Sequence, residues 1–288
     1  MSKDLRGSGR SLAFGVYEMK NSSWMVIGLG LVLVGCGPKP PVEVRPDIAA
    51  AYDEFYDVGG GDTGAAKIAL SKARKADAEN AYTDYLESWI AFRTKDFEGG
   101  LELLRTGNGR EKCLIYVTEP PPADNIKSLG RIRQVGFETK NFKEFKEIAE
   151  DVFVEVRRMG KRVANAEPVN SLSVLNGTGV IRKSYQSEIA YWTEKKSKKD
   201  VQRVQAKLDE FTKWYDKFQK ELAKHVGDLM REAGEAAGMT DEELADYAQG
   251  KPIQDQGKIA KADAKRIELY EAEVRALRES LKGMPGLE

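Results

Sequence analysis

The sequence predicts an all-α protein in which stacked helix pairs are followed by a bundle of long helices or by an antiparallel helical hairpin. Three observations predict this fold class: an internal repeat in the first half, a helical stripe of apolar residues in the middle, and heptad spacing in the last third. Charged residues make up 32% of the 288 residues and hydrophobic residues 41%, a composition typical of long solvated helices around an ample core.

The internal repeat in the first half has an offset of 34 residues. At this offset large residues align with large ones, as Phe55 does with Trp89 and Leu70 with Leu104. Small residues also align with small ones, so the pattern predicts antiparallel helices that approach closely at the small positions. We therefore expect the four large residues to be buried between the helices.

The second copy, "NAYTDYLESWIAFRTKDFEGGLELLRTG", resembles a tetratricopeptide repeat. Ser88 and Gly100 occupy the positions of small residues where the two helices meet, and Asp96 occupies the turn between them. The resemblance implies tetratricopeptide-like helix pairs over residues 47–166, turning near Asp62 and Asp96, with a groove that binds peptides or partner helices. The aromatic residue expected early in the first helix is displaced, and an unrelated helical hairpin is the alternative.

The longest apolar run, Trp24–Val34, contains 11 residues and would span about 16 Å as a helix. This length is about half of the hydrocarbon core of a bilayer, so the run fits the apolar region of a secretory signal that follows Lys20. The sequence Leu33-Val34-Gly35-Cys36 at its end resembles a bacterial lipobox. The resemblance implies that the thiol of Cys36 receives a diacylglycerol and that the chain is cleaved before this residue. A weak membrane anchor with an incidental cysteine is the alternative.

The lipobox resemblance divides the amino-terminal part into a signal peptide, residues 1–35, and a lipidated cysteine with a proline-rich tether, residues 36–46. We expect Met19 to be the true start, because residues 1–18 mix charges and glycines; a long charged leader region is the alternative. Four prolines in "GPKPPVEVRP" predict a semi-rigid tether. Gly37, in place of an aspartate after the cysteine, favours the outer membrane of a bacterial envelope, facing the periplasm.

The middle of the chain alternates breaks and helices. Three consecutive prolines at 120–122 predict an extended link, since they cannot lie inside a helix. "EPVNSLSVLNGTG" predicts a loop, with helix returning near Val180. The glycines of "GGGDTG" have the spacing of a dinucleotide-binding motif, but such a motif follows a strand. Helix-like spacing precedes these glycines, so we interpret the segment as a turn between helices. A helical stripe is formed by Phe142, Phe145, Ile148, Val152, Val156, Met159 and Val163.

Residues 179–288 predict a long-helix bundle or a coiled-coil hairpin. Apolar residues recur at alternating steps of three and four over residues 201–229, and again over residues 267–281. Thr240 and Glu243 form a capping box that predicts a short helix in the link between these runs. The pattern favours an antiparallel hairpin, and two amphipathic helices packed on a globular core are the alternative.

The formal net charge is +0, so nothing in the total calls for nucleic acid as a partner. The distribution is uneven: residues 110–220 carry 23 basic and 16 acidic residues, a net charge of +7. Residues 47–108 carry 7 and 12, and residues 221–288 carry 10 and 15, a net charge of −5 in each case. The basic middle predicts either an anionic partner, such as lipid head groups, a glycan layer or an acidic protein face, or a solvated helix face.

Candidate catalytic residues are scarce. Cys113 lies in the apolar stretch "CLIYV", which predicts a buried and inert thiol. His225 is the single histidine of the sequence and lies on the heptad seam. We expect its side chain to be neutral and packed beside Leu222 and Leu229, with a polar partner at one ring nitrogen. With 2 cysteines and 1 histidine, a metal site of the Cys/His type is excluded. We therefore predict no catalytic residue, no metal, no cofactor and no enzyme activity.

These resemblances imply a membrane-anchored envelope lipoprotein that serves as a protein-protein interaction scaffold or assembly factor, held by lipid on Cys36. A structural coiled-coil spacer that self-associates into a homo-oligomer is the alternative, and a glycan-active envelope enzyme is a third hypothesis. A groove lined by the first helices of the pairs would favour the scaffold. An exposed apolar stripe on residues 201–282 would favour the spacer, and a deep pocket with two facing carboxylates would favour the enzyme.

Overall fold

The computed structural model of the protein describes residues 45–58, 62–116, 127–167, 171–248 and 251–287. These residues form helices joined by short connections, and two isolated backbone bridges are the only strand-like pairings among them. The predicted all-α fold is therefore confirmed. The helices are α1 (Pro46–Val58), α2 (Thr63–Ala76), α3 (Ala81–Arg93), α4 (Phe97–Gly109), α5 (Lys127–Glu138), α6 (Phe142–Phe145), α7 (Ala149–Ala164), α8 (Ser171–Glu194), α9 (Lys198–Ala236), α10 (Asp241–Ala248) and α11 (Gln256–Lys282). Short 3₁₀ turns, Thr139–Asn141 and Lys146–Ile148, flank α6.

Helices α1 and α2 form one stacked pair, and α3 and α4 form the next. Asp62 begins α2 by accepting hydrogen bonds from the backbone amides of Gly64 and Ala65. Asp96 begins α4 in the same way, by accepting a hydrogen bond from the amide of Gly99. The short connections make neighbouring helices antiparallel, so the stacked pairs and their predicted turns are confirmed.

The large residues of the repeat fill the space between these pairs. Phe55, Leu70, Trp89 and Leu104 are at most 2% exposed, as predicted. The rings of Phe55 and Trp89 meet edge to face, with centroids 5.7 Å apart and an interplanar angle of 88°. Two residues that align in the sequence repeat therefore contact each other across the first helices of the two pairs.

Helix α8 begins at Ser171, nine residues before the predicted return of helix at residue 180. The glycines of this segment disfavour helix locally, but packing against α7 overrides that preference. A Cβ atom on Gly160 of α7 would lie 2.7 Å from the carbonyl oxygen of Gly177, so both glycines are needed where the helices cross. The hydroxyl of Thr178 donates to the carbonyl of Val174 within α8, at 2.7 Å. The predicted loop is therefore wrong over residues 171–179, which are helical.

Helices α8, α9 and α11 form the predicted long-helix bundle, with α10 in the link between α9 and α11. Met230, near the end of α9, shares a hydrophobic cluster with Ala262, near the start of α11. Gly283, just after α11, lies beside Trp214 in the middle of α9. The two long helices are therefore antiparallel. The bundle and the stacked pairs meet at α8, which contributes Val180 to the core of the pairs and residues of its opposite face to the bundle.

The heptad seam follows the prediction over the first two thirds of α9 and then shifts. Buried seam residues are Val204, Phe211, Tyr215, Phe218 and Leu222. Beyond them His225 and Leu229 are only half-buried, whereas Met230 is buried. The buried face rotates because α9 leaves α8 and packs instead against α10 and the start of α11. The capping box at the start of α10 is confirmed, since the amide of Thr240 donates to the carboxylate of Glu243 at 2.8 Å.

The predicted signal peptide, the lipidated Cys36, most of the tether and the proline link at 120–122 lie outside the described residues. Among the helices that the structure describes, none combines the length and apolarity that a bilayer-spanning segment needs.

Candidate functional site

The face formed by α1 and α3, the first helices of the two pairs, is covered by α5. Apolar residues of α5 recur at steps of three, and Leu129, Ile132 and Val135 are at most 2% exposed. This spacing places the three side chains on one side of the helix. The predicted groove of the helix pairs therefore holds a helix, and that helix belongs to the same chain.

Tyrosine hydroxyls line the groove and bond across it. The hydroxyl of Tyr82 on α3 lies 2.8 Å from the hydroxyl of Ser128 on α5. The hydroxyl of Tyr52 on α1 lies 2.9 Å from that of Thr83, and the side-chain amide of Asn80 donates to Tyr52 at 3.2 Å. Burial raises the pKa of Tyr52 and of Tyr82 well above the usual value of 10.0. The phenols therefore stay neutral, and the groove recognises its helix through hydroxyl hydrogen bonds and aromatic packing.

Arg131 of α5 supplies a positively charged side chain to the contact between α5 and the groove. Its guanidinium lies 4.8 Å from the centroid of Tyr56 and 4.7 Å from that of Trp89, so it packs against both rings. One of its terminal nitrogens donates to the carbonyl of Tyr56 at 3.0 Å. The indole nitrogen of Trp89 and Nε of Arg131 are buried without a hydrogen-bond partner in the described part of the chain. The orientation of α5 thus depends on cation–π packing more than on complete hydrogen bonding.

A second polar cluster lies between α7 and α8. Nη1 of Arg157 is 2.6 Å from Oε2 of Glu188, and the two side chains are only 3% and 6% exposed. The guanidinium also lies 4.4 Å from the ring centroid of Tyr185, and its Nε donates to the carbonyl of Leu287 at 3.2 Å. The hydroxyl of Ser184 donates to the carbonyl of Phe153 at 2.9 Å. Since its groups are engaged with one another, the cluster joins α7, α8 and the residues after α11 rather than presenting reactive atoms.

A third cluster surrounds the carboxylate of Asp84 on α3, which is 1% exposed. Arg74 of α2 donates to one of its oxygens at 2.6 Å, and Arg110, just after α4, donates to the other at 3.0 Å. The hydrogen bond that Arg110 donates to Asp84 raises the pKa of the Arg110 guanidinium. Two guanidinium groups therefore satisfy one buried carboxylate and fix the order of α2, α3 and α4.

An open cleft of 670 Å³ lies between α9 and α10. Its floor includes Met230 and Leu244, and three carboxylates stand at its rim, on Asp228, Glu235 and Asp241. Lys224 and Arg231 also line the cleft. No set of three histidine, cysteine or acidic side chains among the described residues is placed to hold a metal ion. The cleft thus presents a mixed-charge surface above an apolar floor.

The two residues singled out for reactive side chains contribute no side-chain hydrogen bond to these clusters among the described contacts, although Leu114, next to Cys113, bonds to Asn80 through its backbone. Cys113 is half-buried, and burial raises the pKa of its thiol from the usual 9.0 to about 12, so the thiol stays protonated near neutral pH. Nε2 of His225 is buried, but no hydrogen bond reaches it from the described residues. The polar partner expected at one ring nitrogen of His225 is therefore not found at Nε2 within the described residues.

Sequence reasoning missed Arg131, Arg157 and Glu188. The sequence did contain a pattern that could have indicated the burial of Arg157. Phe153, Gly160 and Ala164 recur at helical spacing along a second buried face of α7, and Arg157 lies between Phe153 and Gly160 on that face. A charged residue in an otherwise apolar line predicts a buried ion pair, although the identity of its partner depends on how the helices pack.

Comparisons of the chain with protein-family models, with curated proteins and with solved structures find no match.

Proposed function

We propose that the protein is a lipid-anchored lipoprotein of the bacterial envelope, facing the periplasm from the outer membrane, whose tetratricopeptide-like helices serve as a scaffold for other envelope proteins. The observation that carries the proposal is the helix in the groove of α1 and α3. An amphipathic helix laid into an aromatic groove is a common mode of protein recognition. The chain uses this mode within itself, which supports a body built for helix contacts.

The distribution of exposed apolar residues disfavours the self-associating spacer. Ile68 and Phe137 are the large hydrophobic residues exposed in the described part of the chain, and neither belongs to α9 or α11. The stripe that a homo-oligomeric coiled coil needs is therefore missing from the described side chains of those helices. The spacer and the glycan-active enzyme are the less favoured alternatives.

The lipid anchor is tested by metabolic labelling with an alkyne fatty acid. Cys36→Ala should lose all label and accumulate as an uncleaved precursor, because it lacks the thiol that accepts the lipid. Cys113→Ala is the matched control, since it removes the other cysteine of the chain, and it should keep the label. Labelling of the Cys36→Ala variant would refute the anchor.

The scaffold is tested by photo-crosslinking in whole cells. A photoreactive residue at position 68, where Ile68 is 62% exposed on α2, samples the outer side of the first pair. We expect discrete crosslinks to envelope proteins, which weaken when Cys36→Ala removes the anchor. Crosslinks only to a second copy of the chain would support the spacer instead, and the absence of any specific crosslink would contradict the scaffold.

A further inference from the structure

Phe137 on α5 is an exposed aromatic side chain surrounded by cations. The residue is 39% exposed, and the guanidinium of Arg133 lies 5.6 Å from its ring centroid. The ammonium of Lys183, on α8, lies 5.7 Å from the same centroid. Lys140 is exposed one turn beyond Phe137, in the 3₁₀ turn that follows α5. We call Arg133, Phe137, Lys140 and Lys183 the basic aromatic patch.

The patch is held rigidly because α5 and α8 are locked together beneath it. A Cβ atom on Gly136 would lie 3.2 Å from the Cα atom of Val180, so the helices cross in close contact beside Phe137. The hydroxyl of Thr139 donates to the hydroxyl of Ser187 at 2.9 Å, which joins the end of α5 to α8. The backbone positions from which Arg133 and Lys183 extend toward the ring are therefore fixed by the packing of α5 on α8.

The three cations of the patch are not paired with carboxylates of the described residues, and the adjacent Glu138 offsets only one of their three charges. No ion pair joins Arg133, Lys140 or Lys183 to a carboxylate of those segments, and the adjacent Glu138 accepts a hydrogen bond from Asn141 at 2.6 Å. The other exposed hydrophobic residue, on α2, has a different setting. There the nearby Lys72 is paired with Glu54 at 2.7 Å.

We propose that the basic aromatic patch docks on the anionic head groups of the membrane surface. An exposed ring flanked by long cationic side chains suits the interface, where the ring enters the head-group region and the cations contact phosphates. Each such cation strengthens binding about fivefold, so three contribute roughly a hundredfold. An acidic protein surface with an apolar pocket is the competing occupant, and the comparison of native membranes with anionic vesicles below distinguishes the two.

This inference rests on the proposed lipid anchor for its geometry. The ten residues from Cys36 to Arg45 are joined by nine peptide units, which can span at most about 32 Å, so the anchor would keep the helical body close to the surface. At the high effective concentration that such a tether produces, a patch of moderate affinity would stay bound. The anchor sets the distance from the membrane, and the patch selects which side of the body faces it.

The test is lysine footprinting of the full-length protein, purified from membranes and reconstituted into two kinds of vesicle. One kind contains equal parts of phosphatidylglycerol and phosphatidylethanolamine, and the other contains phosphatidylcholine alone. An amine-acetylating reagent is added, and modification is followed by mass spectrometry. We expect Lys140 and Lys183 to react about fivefold more slowly on the anionic vesicles. Lys213, exposed on α9, is the internal control and should react equally on both.

Variants then separate the ring from the charges. Phe137→Ser and Arg133→Glu should each abolish the protection, whereas Ile68→Ser, at the other exposed hydrophobic residue, should leave it unchanged. Equal reactivity of Lys140 and Lys183 on the two vesicles would overturn the proposal. Protection found in native membranes but not on anionic vesicles would overturn it too, and would assign the patch to a protein. Fatty-acid labelling of Cys36 reports separately on the anchor.

Discussion

Arg157 and Glu188 form an ion pair of 2.6 Å between α7 and α8, at a depth where neither side chain is more than 6% exposed. Taking two charges out of water has a large free-energy cost, which the pair offsets only because each partner is placed to meet the other. Removal of one partner therefore has a different consequence from removal of both.

Arg157→Met should lower the free energy of unfolding by about 3 kcal/mol, because it removes the closer cation from the buried carboxylate of Glu188 and leaves only Arg203, whose nitrogen is 3.6 Å away. The double variant Arg157→Met/Glu188→Leu should recover most of that loss. Arg105→Met is the control, since the ion pair of Arg105 with Asp151 is exposed on both sides, at 46% and 61%. It should change stability by less than about 1 kcal/mol. Urea unfolding followed by circular dichroism measures all three, and equal effects of the two single arginine variants would contradict the buried pair.

Trp89→Ala should lower the free energy of unfolding by about 3–5 kcal/mol, as expected for a large aromatic residue removed from a packed core. Trp89 is 2% exposed and contacts both Phe55 and the guanidinium of Arg131, so its loss opens the groove and releases α5. Phe137→Ala, at an exposed ring, is the control and should cost much less. Thermal unfolding distinguishes them, and a Trp89→Ala protein as stable as the control would show that α5 does not depend on this contact.

Cys113 should resist thiol reagents in the folded protein. At pH 8 its thiol, with a pKa of about 12, is almost wholly protonated, and the thiolate is the reactive form. Maleimide labelling should become fast only in denaturant, which mass spectrometry detects. Rapid labelling of the native protein would contradict this environment.

The thiol of Cys113 also makes the free energy of unfolding depend on pH. Between pH 9.0 and about 12 the unfolded chain releases the proton of Cys113 while the folded chain retains it. The unfolded state therefore gains stability over this window, and the free energy of unfolding should fall as the pH rises. Cys113→Ala removes this contribution, so its stability should fall less steeply in alkaline urea titrations. Identical slopes for the variant and the parent would refute the assignment.

His225→Leu should raise the free energy of unfolding by about 1 kcal/mol, because it removes a buried nitrogen that has no hydrogen-bond partner in the described residues. The variant should also retain the scaffold function. His225→Asn is the control, since it keeps a polar group at the site and should not stabilise the fold. A loss of function by a folded His225→Leu protein would indicate a ligand or catalytic role instead.

Periodicity is what made the bundle and the pairs predictable. Phe55 and Trp89 could be placed in the core because the repeat and the helical spacing agree on which residues are buried, whereas their ring contact is seen only in the structure. The helical segment from Ser171 could not be found in this way, because Gly177 disfavours helix locally and is explained only by the approach of α7. Packing against α7, rather than local sequence preference, therefore makes this segment helical.

The occupant of the groove is a similar case. The spacing of Leu129, Ile132 and Val135 predicts a helix with one buried face, but it does not say which surface covers that face. The hydrogen bond between Tyr82 and Ser128 joins residues 46 positions apart, a separation that local pattern does not constrain. The partners of Arg157 and the patch around Phe137 depend on the same long-range packing of α5, α7 and α8.

The 39 residues of α9 make a helix of about 58 Å, which passes from one hydrophobic cluster to another. Near Phe211 and Phe218 it carries stacked aromatic rings, whereas around Met230 it meets a smaller cluster in which Tyr247 is the one buried aromatic residue among the described side chains. Backbone amides at the Met230 end should therefore exchange with deuterium through local opening, while those near Phe211 should exchange only through larger unfolding events. One uninterrupted helix would then contain two separate opening units, with their boundary beyond Leu222, where the buried face turns.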